Sequence, residues 1–286
     1  MRITHLSDLH FGHHDEQLAE GLAADIAAQR PDIVVISGDF TQIGSRVEFE
    51  AARAFLDRLP VPFFAVPGNH DVPAVNIVRR FLNPYGYYRR FITPDLEPFV
   101  EIDGVAIAGI RTVRRVRPGL DWAQGLISRR QLRELERRFA PASAGAVKVV
   151  VAHHPLLIPE TPMQKPMRRV DNADRALEAF AELGVRLVLS GHFHLSYVRR
   201  LERPGTIKEG APLGARQSAV APILVAQSAS TISTRLRGEP NAYNLIDIAE
   251  GAITVTVREW RGKAWATRET ASAAVGATGL TPAIST

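Results

Sequence analysis

The sequence predicts an α/β protein in which two sheets pack together with helices outside. Two observations carry that reading. The first third alternates short apolar, β-branched runs with helical periodicity in the order β-α-β-α-β, which implies parallel strands joined by right-handed crossovers. The last third is nearly all strand pattern, which implies hairpins. No internal repeat and no linker divides the chain, so one domain is expected over residues 1–269. A tail over 270–286, rich in Ala, Thr, Gly and Ser with little to bury, is expected to be peripheral.

Taken in order, residues 3–6 form the first expected strand, and Asp15 caps a helix over 17–29 that Pro31 ends. Ile33-Val34-Val35-Ile36 reads as a buried central strand. A second helix over 47–59 sets Phe49, Ala52, Phe55, Leu56 and Leu59 on one face. A strand over 63–66 stops at Pro67-Gly68. Residues 75–82 are expected to be helical, and Asn83-Pro84-Tyr85-Gly86-Tyr87-Tyr88 to be an aromatic turn. Two apolar runs around Asp103-Gly104 read as a hairpin. Ser128 is placed as the N-cap of a charged helix that buries Leu132, Leu135 and Phe139. A buried strand over 147–152 leads into residues 156–170, a loop by its three prolines and lack of periodicity. A helix over 171–183 and strands over 185–189, 195–201, 223–226, 243–248 and 253–260 complete the reading.

Composition narrows the function classes. With 45% hydrophobic and 23% charged residues the chain is an ordinary globular protein. Having no cysteine, it has no disulfide, no thiolate metal site and no cysteine nucleophile. The N-terminus enters Ile3-Thr4-His5-Leu6 without a leader pattern, and no apolar run is long enough to span a bilayer, so the cytoplasm is the expected location. The net charge of +5 suits an anionic substrate. The arginines, however, come as scattered pairs such as Arg79-Arg80, Arg129-Arg130 and Arg199-Arg200, which argues against a nucleic-acid face.

Polar residues at strand ends carry the chemistry. Asp8/His10, Asp39, Asn69/His70, His153/His154 and His192/His194 each follow an apolar run. The carboxyl ends of parallel strands form one crevice, so these clusters should converge. All nine histidines lie in or beside them: His5, His10, His13, His14, His70, His153, His154, His192 and His194. A single histidine is commonly a core or surface group, but this crowding indicates a metal site. Two carboxylates, an amide oxygen and several imidazoles exceed the needs of one ion, so two are expected. Imidazoles without thiolates suit manganese, iron or zinc better than calcium or magnesium. Two such ions outweigh Asp8 and Asp39 in charge, leaving a positive centre of the kind used for in-line displacement at phosphorus.

Asp8-Leu9-His10, Gly38-Asp39, Gly68-Asn69-His70-Asp71, His153 and Gly191-His192-Phe193-His194 resemble, in order, the five motifs of the calcineurin-like metallophosphoesterases. The resemblance implies a four-layer α/β/β/α sandwich with two mixed sheets and a dinuclear site at strand C-terminal ends. It implies that Asp8, His10, Asp39 and His194 hold one metal, and Asp39, Asn69, His153 and His192 the other, with Asp39 bridging. His70 would face the leaving group as the catalytic residue without ligating. His153 is taken as the ligand of the adjacent pair because family members often replace the second. His154 is then left to a supporting role or a substrate contact.

Residues 8–12, Gly125-Leu126-Ile127-Ser128 before Gln131-Leu132, and His153-His154-Pro155 are most similar to the bacterial cyclic-nucleotide phosphodiesterase and glycerophosphodiesterase branch. That implies hydrolysis of a small anionic phosphodiester: a cyclic nucleotide, a glycerophosphodiester or a phospholipid-type diester. The expected attack is by a hydroxide held between the metals. A phosphomonoesterase or nucleotide pyrophosphohydrolase would use the same motifs. UDP-diacylglucosamine hydrolases typically carry arginine in place of His70, the family's repair nucleases add a DNA-capping domain, and its non-catalytic scaffolds lose motif residues. His13 and His14, near the expected metals, and Lys165, Arg168 and Arg169, on the loop after His153, are the candidate substrate contacts. His5 is expected in the core and Asp71 to fix its turn. Self-association is left open.

Overall fold

The computed structural model describes residues 1–115, 123–160, 163, 167–202, 222–249, 251–274 and 280–282. The strands β1 (Arg2–Leu6), β2 (Ile33–Ile36) and β3 (Phe63–Ala65) pair in parallel, joined by α1 (Glu16–Gln29) and α2 (Arg46–Leu56). Their sheet continues beyond β1 through the antiparallel β10 (Ala242–Ala249), β11 (Ala252–Trp260), β12 (Trp265–Ala274) and β13 (Leu280–Pro282). A second sheet runs β4 (Phe99–Ile102), β5 (Val105–Ile110), β6 (Val147–Ala152), β7 (Val185–Ser190), β9 (Ile223–Gln227) and β8 (Tyr197–Leu201). Within it β5, β6, β7 and β9 are parallel.

The apolar runs are buried on both faces because alternate residues enter different cores. Ile33 and Val35 of β2 meet Val149 and Val151 of β6 and Leu187 and Leu189 of β7 between the sheets. Val34 and Ile36 turn outward toward α1 and α2. On the far side Val150, Ala152 and Val188 face α5 (Arg129–Phe139) and α6 (Ala173–Glu182). The layers are therefore helix, sheet, sheet, helix, as the resemblance implies.

Local chemistry sets the helix ends. The Asp15 side chain accepts from Leu18 N, while Ser45 with Glu48, and Ser128 with Gln131, form capping boxes. Asp103 and Gly104, at φ 48° and 73°, supply the left-handed pair needed for the tight β4–β5 hairpin.

Two expectations are corrected. After α3 (Ile77–Leu82), residues 86–91 form a further helix, α4 (Gly86–Phe91), rather than an aromatic turn. Tyr85, Tyr88 and Ile92 recur at helical spacing and bury into the core that α2 shares, and this packing outweighs the turn preference of Asn-Pro-Tyr-Gly. The strand β12 also continues past residue 270, where the sequence reading starts a tail, to pair Ala274 with Ala252. Its start is anchored by Trp265, whose ring lies 5.2 Å from Tyr243 and 5.6 Å from Trp260. Among the described residues no helix is long and apolar enough to cross a membrane.

His5 is a fully buried core group, with Nε2 3.0 Å from Ser37 Oγ and Nδ1 3.3 Å from Asn244 Nδ2. Burial pushes its pKa down from 6.5 to about 3 despite the nearby Asp8 charge. Between those values the unfolded chain takes up a proton here that the folded chain refuses, so stability falls with pH by about 1.4 kcal/mol per unit from this residue. The variant His5→Gln should lose less stability than the wild type between about pH 6.5 and about pH 4.5 in urea unfolding. Parallel losses would show that His5 is not the group being protonated.

Candidate metal centre

The parallel strands of both sheets end at one edge, and their loops interlock. Asp8 N bonds Gly38 O (3.1 Å), His10 N bonds Asp39 O (3.0 Å) and Gly191 N bonds His153 O (3.0 Å). Of the eight non-glycine residues with positive φ among the described residues, five are expected ligands: Asp8, His10, Asp39, His192 and His194. Each such residue costs roughly 1–2 kcal/mol, so the surrounding loops hold the chain in a conformation it would not choose. Two glycines allow the close approach. Gly38, at φ 98°, would with a Cβ meet Gly68 N at 2.6 Å and His153 Nδ1 at 2.8 Å, and a Cβ on Gly68 would overlap the Asp39 carboxylate.

Asp71 fixes the turn as expected. Its buried carboxylate accepts from Gly68 N (2.8 Å), Asp39 N (3.0 Å), Thr41 N (3.0 Å) and Thr41 Oγ1 (3.2 Å), clasping two ligand-bearing loops together. Burial, reinforced by the Asp39 charge, pushes its pKa up to about 7.

The expected ligand atoms fall into two groups. In the first, Asp8 Oδ1 lies 3.1 Å from His194 Nε2 and 3.7 Å from His10 Nε2; the two nitrogens are 3.3 Å apart, and His10 Nε2 is 3.8 Å from Asp39 Oδ2. In the second, His153 Nε2 lies 3.3 Å from Asp39 Oδ2 and 3.0 Å from Asn69 Oδ1, which is 2.9 Å from His192 Nδ1. Ligands bound at ~2.1 Å around a tetrahedral ion sit roughly 3.4 Å apart, the scale seen here. Asp39 Oδ2 belongs to both groups.

Three imidazoles are oriented by backbone carbonyls: His10 Nδ1 on Thr41 O (3.2 Å), His153 Nδ1 on Ser37 O (2.8 Å) and His194 Nδ1 on Arg235 O (2.8 Å). Each carbonyl requires an N–H, so each ring turns Nε2 to the centre, where loss of its proton to a cation leaves a lone pair for binding. Asp8 Oδ2 accepts from Ser7 Oγ (2.6 Å) and His192 N (2.8 Å), yet Oδ1 is buried with no hydrogen-bond donor. A carboxylate oxygen so stranded is costly unless a cation takes it, and the donor set fits a transition-metal ion. Burial alone would raise the Asp8 and Asp39 pKa values, but neighbouring imidazoles hold both below the usual carboxylate range. His153, which burial would lower, is pushed up to about 9 by Asp39.

A family profile described as calcineurin-like phosphoesterase matches residues 1–196. The chain belongs to that family. This calcineurin-like chain is 28% identical over 183 residues to a probable cyclic nucleotide phosphodiesterase of Synechococcus sp., covering 63% of itself and 65% of the relative. It is 37% identical over 82 residues to the glycerophosphodiester phosphodiesterase GpdQ of Enterobacter lignolyticus, covering 25% of itself and 30% of that protein. Each match thus spans less than two thirds of the relative's length. In fold it is similar to a purple acid phosphatase from yellow lupin, with TM-score 0.58 and 13% identity over 100% of this chain and 57% of that one.

The remaining candidates are placed less uniformly. His70 stands beside the ligands, its ring edge-on to His10 with centroids 4.8 Å apart. The His70 backbone N–H donates to Asp39 Oδ1 (2.8 Å), while in the ring Nδ1 donates to Gln42 O (2.6 Å) and Nε2 accepts from Arg235 Nη1 (3.3 Å). His13 is exposed, with its carbonyl held by Thr234 N (2.8 Å). His154 is buried, with Nδ1 2.7 Å from Thr112 Oγ1 and Nε2 2.6 Å from Ala123 O. Both ring nitrogens are engaged, and burial followed by the His153 charge pushes its pKa down to about 3. As a substrate contact His154 is therefore withdrawn. Arg168 is exposed, Arg169 forks onto Asp174 (2.8 and 3.0 Å), and Lys165 lies outside the described residues.

The sequence reading missed the segment that follows β9. Ser230 Oγ bonds Asp8 O (2.8 Å), Thr231 N bonds Ser7 O (3.0 Å), and the Arg235 carbonyl orients His194. Its signal was available: Ser228-Ala229-Ser230-Thr231 is another small polar run directly after an apolar parallel strand.

Asp39 serves both groups and Asn69 only one. Elemental analysis should therefore find both ions depleted in Asp39→Ala but only about one in Asn69→Ala. Two ions retained in Asp39→Ala would rule out a shared carboxylate.

Proposed function

We propose that this protein is a metal-dependent phosphodiesterase acting on a small anionic diester. The observation that carries the reading is the pair of ligand groups joined at Asp39 Oδ2, with a ring nitrogen of His70 within 4.8 Å of that carboxylate. Asp8, His10, Asp39 and His194 would hold one manganese, iron or zinc ion, and Asp39, Asn69, His153 and His192 the other. When bound, the ions would supply positive charge at the phosphoryl oxygens and acidify water into a nucleophile. The diester preference is supported by the relatives from Synechococcus and Enterobacter, both named as phosphodiesterases.

The chain's own residues orient and protonate. The Thr41, Ser37 and Arg235 carbonyls fix the ring tautomers, so the centre is set before substrate arrives. His70 is assigned to the leaving-group side. Its Nδ1–H is committed to Gln42 O, so only Nε2 can reach an ester oxygen. Burial lowers its pKa, and the His10 and Arg235 charges add to this against Asp39. The resting ring is therefore neutral, and protonation must accompany arrival of the phosphate charge.

A general acid matters in proportion to the basicity of the leaving group. His70→Ala should slow hydrolysis of natural alkyl diesters by about 10²–10⁴-fold and that of bis-p-nitrophenyl phosphate much less, with metal content unchanged. Equal losses on both would assign His70 to holding phosphate instead. Wild-type protein that hydrolyses p-nitrophenyl phosphate but no diester would make it a monoesterase.

A further inference from the structure

We propose that Arg235 is a substrate-binding residue that hands one guanidinium N–H from His70 to a non-bridging phosphoryl oxygen when the diester docks. The inference rests on the phosphoesterase reading and adds to it a residue from outside the matched stretch, residues 1–196.

The Arg235 main chain is fixed at the centre, because its carbonyl receives His194 Nδ1 at 2.8 Å and its N–H donates to Ser233 Oγ at 3.1 Å. From that anchor Nη1 reaches Gln42 Oε1 at 3.2 Å and His70 Nε2 at 3.3 Å. Both partners are neutral acceptors. Two other half-buried arginines are matched to carboxylates: Arg258 to Asp25 at 2.7 Å and Arg268 to Glu239 at 3.2 Å. Among the described residues Arg235 has no carboxylate partner, although it is half-buried. A guanidinium has five N–H donors in a planar fork suited to a phosphoryl group. Its bond to a neutral ring nitrogen is weaker than one to an anionic oxygen, so an arriving phosphoryl oxygen would win the donor. The exchange would also release His70 Nε2 toward the ester.

Arg237 separates a directed contact from bulk charge. It too is half-buried without a carboxylate partner among the described residues, but it bonds Met167 Sδ rather than His70. The test uses full-length, manganese-loaded protein, with inorganic phosphate as the binding probe and bis-p-nitrophenyl phosphate as the substrate. Arg235→Ala should weaken phosphate binding in calorimetry about 10–100-fold and raise KM comparably, with metal content unchanged. Added guanidinium should restore part of the loss, and Arg235→Lys should fall between, as a point charge without the fork. Arg237→Ala should have a smaller effect.

Unchanged phosphate affinity and KM in Arg235→Ala, equal effects of the two alanine variants, or loss of metal would overturn the proposal. If wild-type protein hydrolyses no phosphoester while Arg235→Ala still loses phosphate, the enzymatic reading fails and the Arg235 contact stands. If wild-type protein is active and Arg235→Ala matches it, the reverse holds.

Discussion

The Asp39 carboxylate is the constraint on which the rest depends. One oxygen faces imidazoles from both ligand groups while the other accepts the His70 N–H, and the residue's own N–H is held by Asp71. No position on a regular strand would serve, because Asp39 must turn back at φ 58° between two glycine-lined approaches. A buried carboxylate with buried imidazoles around it disfavours folding unless charge and hydrogen bonds compensate. The compensation is local, from Asp71, Ser7 and the backbone carbonyls. The rigidity behind it comes from the apolar layer between the sheets and the two helix-covered layers outside.

The same arrangement separates two tasks. Residues up to His194 carry the expected ligand atoms, whereas the segment after β9 brings Arg235 beside His70 and braces Asp8 and His194 from behind. If Arg235 binds substrate as proposed, changes to its side chain alone would alter substrate handling while its carbonyl still orients His194. This division accords with a family whose members share a centre yet differ in substrate.

Much of this was legible because apolar strands and their polar ends are adjacent in sequence. Asp8, Asp39, Asn69, His153 and His192 are readable one strand at a time, since each follows a run that has to be buried. The respective roles of His153 and His154 were not readable from spacing. Both rings are buried, and only the partners Thr112 and Ala123, contributed by distant chain, show that both nitrogens of His154 are taken while His153 Nε2 faces Asp39 and Asn69. The helix α4 was hidden because Pro84 and Gly86 speak for a turn while the burial of Tyr85 and Tyr88 decides otherwise. The strand β12 has small polar residues that advertise no core, and its ladder to β11 depends on a partner strand rather than on its own pattern. Arg235 was one arginine among many; what distinguishes it is a neighbour 165 positions away.

The central claim is that one carboxylate joins two cation sites, and anomalous diffraction tests it most directly. Crystals grown with manganese should show two anomalous peaks about 3.5–4 Å apart on either side of Asp39 Oδ2, one against Asp8, His10 and His194 and one against Asn69, His153 and His192. A single peak, or two peaks of which either lacks contact with Asp39, would contradict it.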